Sequence, residues 1–392
     1  MIKLHFYIFG LVLVCSCQPK VVDSFTTKAE RVRFVTEKTH FIDSVFSELP
    51  IQKNEKDFQS AFWASELMLR KSKKGQENLK FGLNYFSSFS DNFKRSLLQH
   101  VFTLYPIEFV SEIDSLILRE LDEKRFVMMA NYLIRQDHTK AEMYLKLMPE
   151  KFNNLKENPI LMAFSIDYSE NERLSKAKID ELIKFRSNSN EASFFVFVYK
   201  NRDIPGELIV QNAKGEILKE NGDTLRFKLL ARSITNLPEY ITNGNTPQGV
   251  YSVQGFSSSD NVFIGKSPTI VTTLPFEISL TEFSFGKLKN DWSLEQYNKL
   301  YPESWSNYLP KNMAFYAGKA GRGEIIIHGT TIDTEFYKQQ RYYPFTPSLG
   351  CLCLFERWNI KDGSLIESEQ LRLVKTLKSN NIQNGLMYVI EK

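Results

Sequence analysis

The hydrophobic period of this chain changes once, near residue 191, and that change commits it to two differently built parts. Before it, apolar residues recur at helical spacing. Phe126, Met129, Ala130, Leu133 and Ile134 stand at i, i+3, i+4, i+7 and i+8, and Phe93, Leu97, Leu98, Val101 and Phe102 follow a similar stripe. Such stripes turn one face of a helix toward a core, and they read as core rather than as a cofactor box. Further helices are expected over 28–47, 57–71, 110–121, 139–148 and 174–185, punctuated by Pro50, Pro106 and Pro149. Stacked helix pairs of this length predict a small HEAT-like solenoid, although no clean repeat is present.

Beyond 191 the apolar runs shorten and become β-favouring. Strands are expected at 194–198, 208–210 and 216–218, the last two joined by the turn Asn212-Ala213-Lys214-Gly215. More are expected at 227–231, 249–253, 270–273, 324–327 and 386–390. Ser293, with Gln296 three residues on, opens a helix through a capping box, and 370–377 is also helical. The long segment 254–320, with Trp292 and Trp305, is expected to hold a lid. The fold class is therefore α+β, with an all-α domain over 26–190 and a mostly-β domain over 191–392.

At 392 residues the chain exceeds one typical domain. Its net charge of +4 lacks the concentrated basic face of a dedicated nucleic-acid binder. Lys3 and the apolar run 4–14 form a leader too short to span a bilayer. Val14-Cys15-Ser16-Cys17 then resembles a bacterial lipobox, with Cys17 the acylated residue, residues 1–17 the signal peptide and 18–25 a tether. An ordinary secretory leader is the alternative. The lipobox reading implies a membrane contact through the lipid anchor and a periplasm-facing lipoprotein, by default in the outer membrane.

Four cysteines and five histidines are few enough to follow singly. Cys351 and Cys353 are the only cysteines beyond the leader, and His328 is the only histidine after His138. A thiol attacks as thiolate and needs a base or a positive neighbour. His328 follows the apolar run Ile325-Ile326-Ile327 and precedes Gly329, which places it at a strand end. Gly350 gives the backbone before Cys351 freedom for a tight conformation, and the amides around Leu349, Gly350 and Cys351 are candidate oxyanion donors. A structural histidine at a strand end is the competing reading of His328. A closed zinc site would need four ligands, more than Cys351, Cys353 and His328 supply. A Cys351–Cys353 disulfide is disfavoured by strand geometry.

These residues resemble the catalytic domain of the L,D-transpeptidase (YkuD-like) family. The family pattern of His-Gly followed by Ser/Thr-x-Gly-Cys reads here as His328-Gly329-Thr330 and Ser348-Leu349-Gly350-Cys351, and an upstream Thr-Pro-x-Gly reads as Thr246-Pro247-Gln248-Gly249. The resemblance covers about 192–392. It implies a β-sandwich-like domain without cofactor or metal, and acyl transfer on peptidoglycan stem peptides through a thioester. Cys351 would be the nucleophile and His328 the base, oriented by a backbone carbonyl. Gly329, Thr330, Ser348, Arg341 and Tyr343 are expected at the substrate, although a packed surface loop is an equal reading of 341–345. Water as acceptor would make the same site a carboxypeptidase or amidase. The family's Arg two residues after the nucleophile is Cys353 here, and Arg357 is the nearest substitute in sequence. That departure keeps a second class open, a non-catalytic lipoprotein that binds wall peptide or a protein partner through its helical domain.

Overall fold

The structure, a computed structural model, describes residues 21–169 and 174–392. The leader and Cys17 lie outside the described residues. Among the described residues, nine α-helices precede the first strand: α1 (Lys28–Phe46), α2 (Glu55–Leu67), α3 (Lys73–Asn84), α4 (Asp91–Leu104), α5 (Val110–Ile117), α6 (Glu123–Ile134), α7 (Lys140–Lys151), α8 (Pro159–Asp167) and α9 (Lys176–Ser187). Side chains of Thr27, Ser72, Ser90, Asp122, Asn158 and Ser175 cap α1, α3, α4, α6, α8 and α9 by accepting first-turn amides. Two of these nine helices were not expected. α3 carries Gly75 and Gly82, which are poor helix formers, and α8 is apolar on nearly every side, so it shows no single stripe. α2, α4, α6 and α8 pack side by side in succession, with α1, α3 and α5 in a second row. No helix among the described residues is long and apolar enough to cross a membrane.

The strands are β1 (Ala192–Val198), β2 (Gly206–Gln211), β3 (Lys219–Glu220), β4 (Asp223–Thr224), β5 (Phe227–Leu230), β6 (Gly249–Ser257), β7 (Thr269–Thr273), β8 (Ile327–His328), β9 (Leu352–Leu354), β10 (Glu356–Trp358), β11 (Leu365–Ser368) and β12 (Gly385–Glu391). Short helices α10 (Leu280–Phe283), α11 (Leu294–Asn298) and α12 (Met313–Lys319) lie between β7 and β8, and α13 (Glu369–Ser379) precedes β12. The molecule is α+β, as expected. The strands do not form an open sandwich, however. Eight of them close a barrel in the order β1-β12-β6-β7-β8-β9-β5-β2. Closure rests on two parallel contacts, β1 with β12 and β8 with β9, which join segments far apart in the chain.

Alternation sorts the barrel residues. Phe194, Val196, Leu208, Val210, Met387, Val389, Ile327, Leu352 and Leu354 fill the interior, joined by Leu373, Val374 and Leu377 of α13. On the outside, Phe195, Phe197, Ile209, Leu386, Tyr388 and Ile390 belong to the same core as the helices. β1 is therefore buried on both faces, which is why it reads as an unbroken apolar run. The helical region and barrel share one continuous core rather than meeting across a polar seam.

Two further expectations are corrected. The strand expected at 324–327 is reduced to Ile327–His328. Residues 21–25, expected within a tether, dock on the β10–β11 hairpin, a two-stranded sheet outside the barrel: Val22 bridges Ser364, and the Asp23 amide donates to the Gly363 carbonyl at 2.8 Å. Of the segment 254–320, Trp305 is fully buried in the shared core, while Trp292 donates its indole N–H to Ile278 O at 2.8 Å and stacks on Phe276, which lines the cavity described below.

Candidate active site

Because Leu352, Leu354 and Ile327 point into the barrel, Cys351, Cys353 and His328 point out of it on one shared face. The parallel register sets His328 opposite Cys353 and Ile327 opposite Leu352. Cys351, one residue earlier, is thus the diagonal neighbour of His328. Both border a cavity of about 950 Å³. The scarce thiol and the scarce imidazole, 23 positions apart, border one opening.

His328 is buried. Its Nδ1 meets the Gly329 carbonyl, so Nδ1 carries the hydrogen and donates it, leaving Nε2 unprotonated and free to act as base. Burial holds the imidazole pKa below its usual value, partly offset by the Gly329 carbonyl. The Cys351 Sγ is half-buried and lies 3.5 Å from both the Ile326 amide and the Glu324 carbonyl. Burial raises the thiol above its usual range, opposed by the Ile326 N–H and by the charge of Arg322. With the acid shifted up and the base shifted down, the resting pair is neutral at pH 7. A thiol in this state would need a base to take its proton before or during any attack. Alkylation of Cys351 by iodoacetamide is accordingly expected to show a pH midpoint above that of a free cysteine peptide. A midpoint below it, read from the rate at successive pH values, would contradict the neutral pair.

The loop before Cys351 is held from several sides. Gly350 has φ +115°, and a Cβ there would overlap the Arg322 guanidinium and lie 2.6 Å from Gly244 O. Thr246, of the upstream Thr-Pro-x-Gly, donates its hydroxyl to Gly350 O at 2.8 Å. Ser348 Oγ accepts from the Gly350 amide at 3.0 Å and donates to Cys351 O at 2.9 Å. The Gly350 amide, expected as an oxyanion donor, is thus engaged by Ser348 in this state. Leu349 is exposed at the cavity rim.

Two residues missed in the sequence complete the site. Arg322 is buried beside Gly350, and its guanidinium donates to the carbonyls of Glu239, Gly244 and Asn245, the last at 2.6 Å. Its positive charge favours the Cys351 thiolate and so opposes the effect of burial on that thiol. Arg357, the substitute suggested by proximity in sequence, is exposed and paired with Glu367 at 3.1 Å. The signal available was Gly321-Arg322-Gly323, a charge between two glycines just before an apolar run. The second is Glu356, buried beneath the His328-Gly329-Thr330 turn. Its carboxylate accepts from Ser267 Oγ at 2.5 Å, Ser368 Oγ at 2.6 Å and the Thr330 amide at 3.0 Å, and it fills the space that a Cβ on Gly329 would need. No local pattern marked it, because both serines are remote in sequence.

Burial pushes the Glu356 carboxyl from 4.5 up to about 7 against those three hydrogen bonds. A raised acid binds its proton more tightly when folded. Its contribution to stability is therefore complete below the unfolded value and lost as pH rises through about 7. The shift corresponds to roughly 3 kcal/mol. Glu356→Gln is expected to flatten the fall in unfolding free energy between pH 5 and pH 8 by about that amount. Urea titrations at both pH values measure it, and an unchanged slope would contradict the assignment.

The remaining expected residues separate. Thr330 and Ser348 line the cavity with Cys351 and His328, and Gly329 supplies the carbonyl. Arg341 and Tyr343 are exposed on a loop that does not line it, with Tyr343 Oη 3.5 Å from Glu335. Cys353 is buried against Thr346 Oγ1 at 3.6 Å, and burial lifts its thiol to about 12, so it is no nucleophile. Among the described residues no three His, Cys, Asp or Glu side chains gather where they would hold a metal ion. Compared with known proteins, the chain matches no family model, no curated protein and no solved structure.

Proposed function

We propose that this protein is an L,D-transpeptidase-like cysteine acyltransferase acting on peptidoglycan stem peptides at the cell envelope. The observation that carries the reading is Cys351 and His328 on one cavity, with His328 held by the Gly329 carbonyl in the tautomer that leaves Nε2 basic. The link from Thr246 to Gly350 gives the upstream motif a physical task, which supports the ordered-motif resemblance. Arg322 supplies a positive charge beside the nucleophile where position 353 has none.

In the first step Cys351 Sγ attacks the carbonyl carbon preceding a terminal D-alanine. The S–C bond forms, the C–N bond breaks, and the thiol proton passes through His328 to the departing amine. In the second step a side-chain amine of another stem attacks the thioester. The N–C bond forms, the C–S bond breaks, and the amine proton returns through His328 to Sγ. Water in place of the amine releases a carboxylate, giving the carboxypeptidase outcome of the same site. Acylation at Cys17 would hold the site at a membrane surface, and the two rows of helices fit a solenoid-like module beside it.

Incubation with a tetrapeptide stem, or with a carbapenem as acylating probe, followed by intact-mass and peptide mapping, tests the reading. The expected result is a covalent adduct on Cys351 with D-alanine released from the peptide. No adduct on Cys351 with either probe would overturn it in favour of a non-catalytic wall-binding protein.

A further inference from the structure

We propose that the helical region forms the acyl-acceptor wall of the cleft through Trp63, an inference that rests on the transferase reading above. The cavity at Cys351 is not enclosed by the barrel alone. Trp63 and Leu67 of α2 line it, together with Asn243, Phe263, Ile264 and Ile332.

The residues fall in an order along the cleft. Cys351 Sγ lies against Glu324 and Ile326. His328 follows two residues further along the same segment. Thr330 and Thr331 then reach the 259–264 loop, where the Thr331 amide donates to Phe263 O at 3.2 Å. The Phe263 ring packs on Trp63 at 5.5 Å between centroids. The sequence of groups is therefore thiol, imidazole, then the Trp63–Phe263 wall.

Chemistry assigns a direction to that order. The base that hands a proton to the leaving amine also takes one from the entering amine, so both amines occupy the place beside His328. An acceptor must then approach on the imidazole side of Cys351, which is the side walled by α2. A side-chain amine on an aliphatic arm suits such a wall. Its methylenes pack on Trp63, Phe263 and Ile332, and its charged form gains from a facing indole before deprotonation.

The wall is built rigidly. Phe263 is gripped edge-on by Phe25 and Phe34 at 5.7 and 5.9 Å. Tyr337 Oη donates to Leu67 O at 2.8 Å, and Arg31 pairs with Asp333 at 3.1 Å. Asn243 Nδ2 donates to Gln99 Oε1 of α4 at 3.1 Å. The helical region is thus fixed to the cleft on both sides of Trp63 rather than swinging on a linker.

The test separates the two half-reactions in the full chain, using a tetrapeptide donor and a second stem peptide with a free side-chain amine as acceptor. For Trp63→Ala the rate of thioester formation should stay within about twofold of wild type. The acceptor KM should rise at least tenfold and partitioning should shift to hydrolysis, with Trp63→Phe recovering most of the loss. Should alanine unfold α2, Trp63→Leu keeps apolar volume without the ring face and must still raise acceptor KM at least threefold. An unchanged acceptor KM, or equal losses in both half-reactions, overturns the inference while leaving the function intact. A wild-type chain that forms no thioester removes both.

Discussion

Replacing Cys351 by alanine is expected to abolish thioester formation and to lower any transfer or D-alanine release by at least about 1,000-fold, since no other group in the cavity can replace the nucleophile. Cys353 cannot substitute, being buried with its thiol pushed to about 12. Stability should change by less than about 1 kcal/mol, because the side chain is small and half-buried. Matched circular dichroism and urea melts therefore distinguish lost chemistry from lost structure. In cells, muropeptide analysis of the variant should show loss of 3→3 cross-links or of tetrapeptide trimming. Unchanged cross-links, unchanged D-alanine release and unchanged lipoprotein attachment would together refute catalysis at Cys351.

The second large effect is expected at Gly350→Ala, where two independent penalties coincide. The backbone at φ +115° is a region that residues with a Cβ rarely adopt, at a cost of about 1–3 kcal/mol. The new methyl would also overlap the Arg322 guanidinium and crowd Gly244 O, adding about 1–3 kcal/mol of overpacking. Arg322 cannot simply move aside, because three carbonyls would lose their donor. A total loss of about 2–6 kcal/mol is expected. Acylation should fall by about 100-fold even where the fold survives, since a displacement of about 1 Å at the reacting atom costs that much. Gly286→Ala serves as control. It shares a positive φ of +82° but has open space around it, so it carries only the backbone penalty and leaves acylation unchanged. Equal destabilisation by the two substitutions would show that the Arg322 contact carries no energy.

Legibility varied between elements for identifiable reasons. α4 and α6 were readable because apolar residues recurring at helical spacing are a local signal. α3 and α8 were not, since glycines mask one and uniform hydrophobicity the other. β12 was expected from its apolar run over 386–390, yet its parallel partner β1 lies nearly two hundred residues earlier, and neither strand by itself encodes that pairing. At the site, Cys351 and His328 stood out by scarcity and by their glycines. Arg341 and Tyr343 drew attention through residue type alone, and the structure leaves them on an exposed loop away from the cavity.

What the amino-acid sequence determined by itself was the division near residue 191, the α+β class and the identity of the thiol and imidazole. Each is carried by period, propensity or rarity within a short window. Tertiary structure alone decided that the sheet closes, that Arg322 rather than Arg357 lends its charge to the Cys351 thiol, that Glu356 underlies the His328 turn and that α2 lines the cavity. Those are contacts between segments dozens to hundreds of residues apart. Barrel register and shared burial set them, and neither is a property of any one stretch of chain.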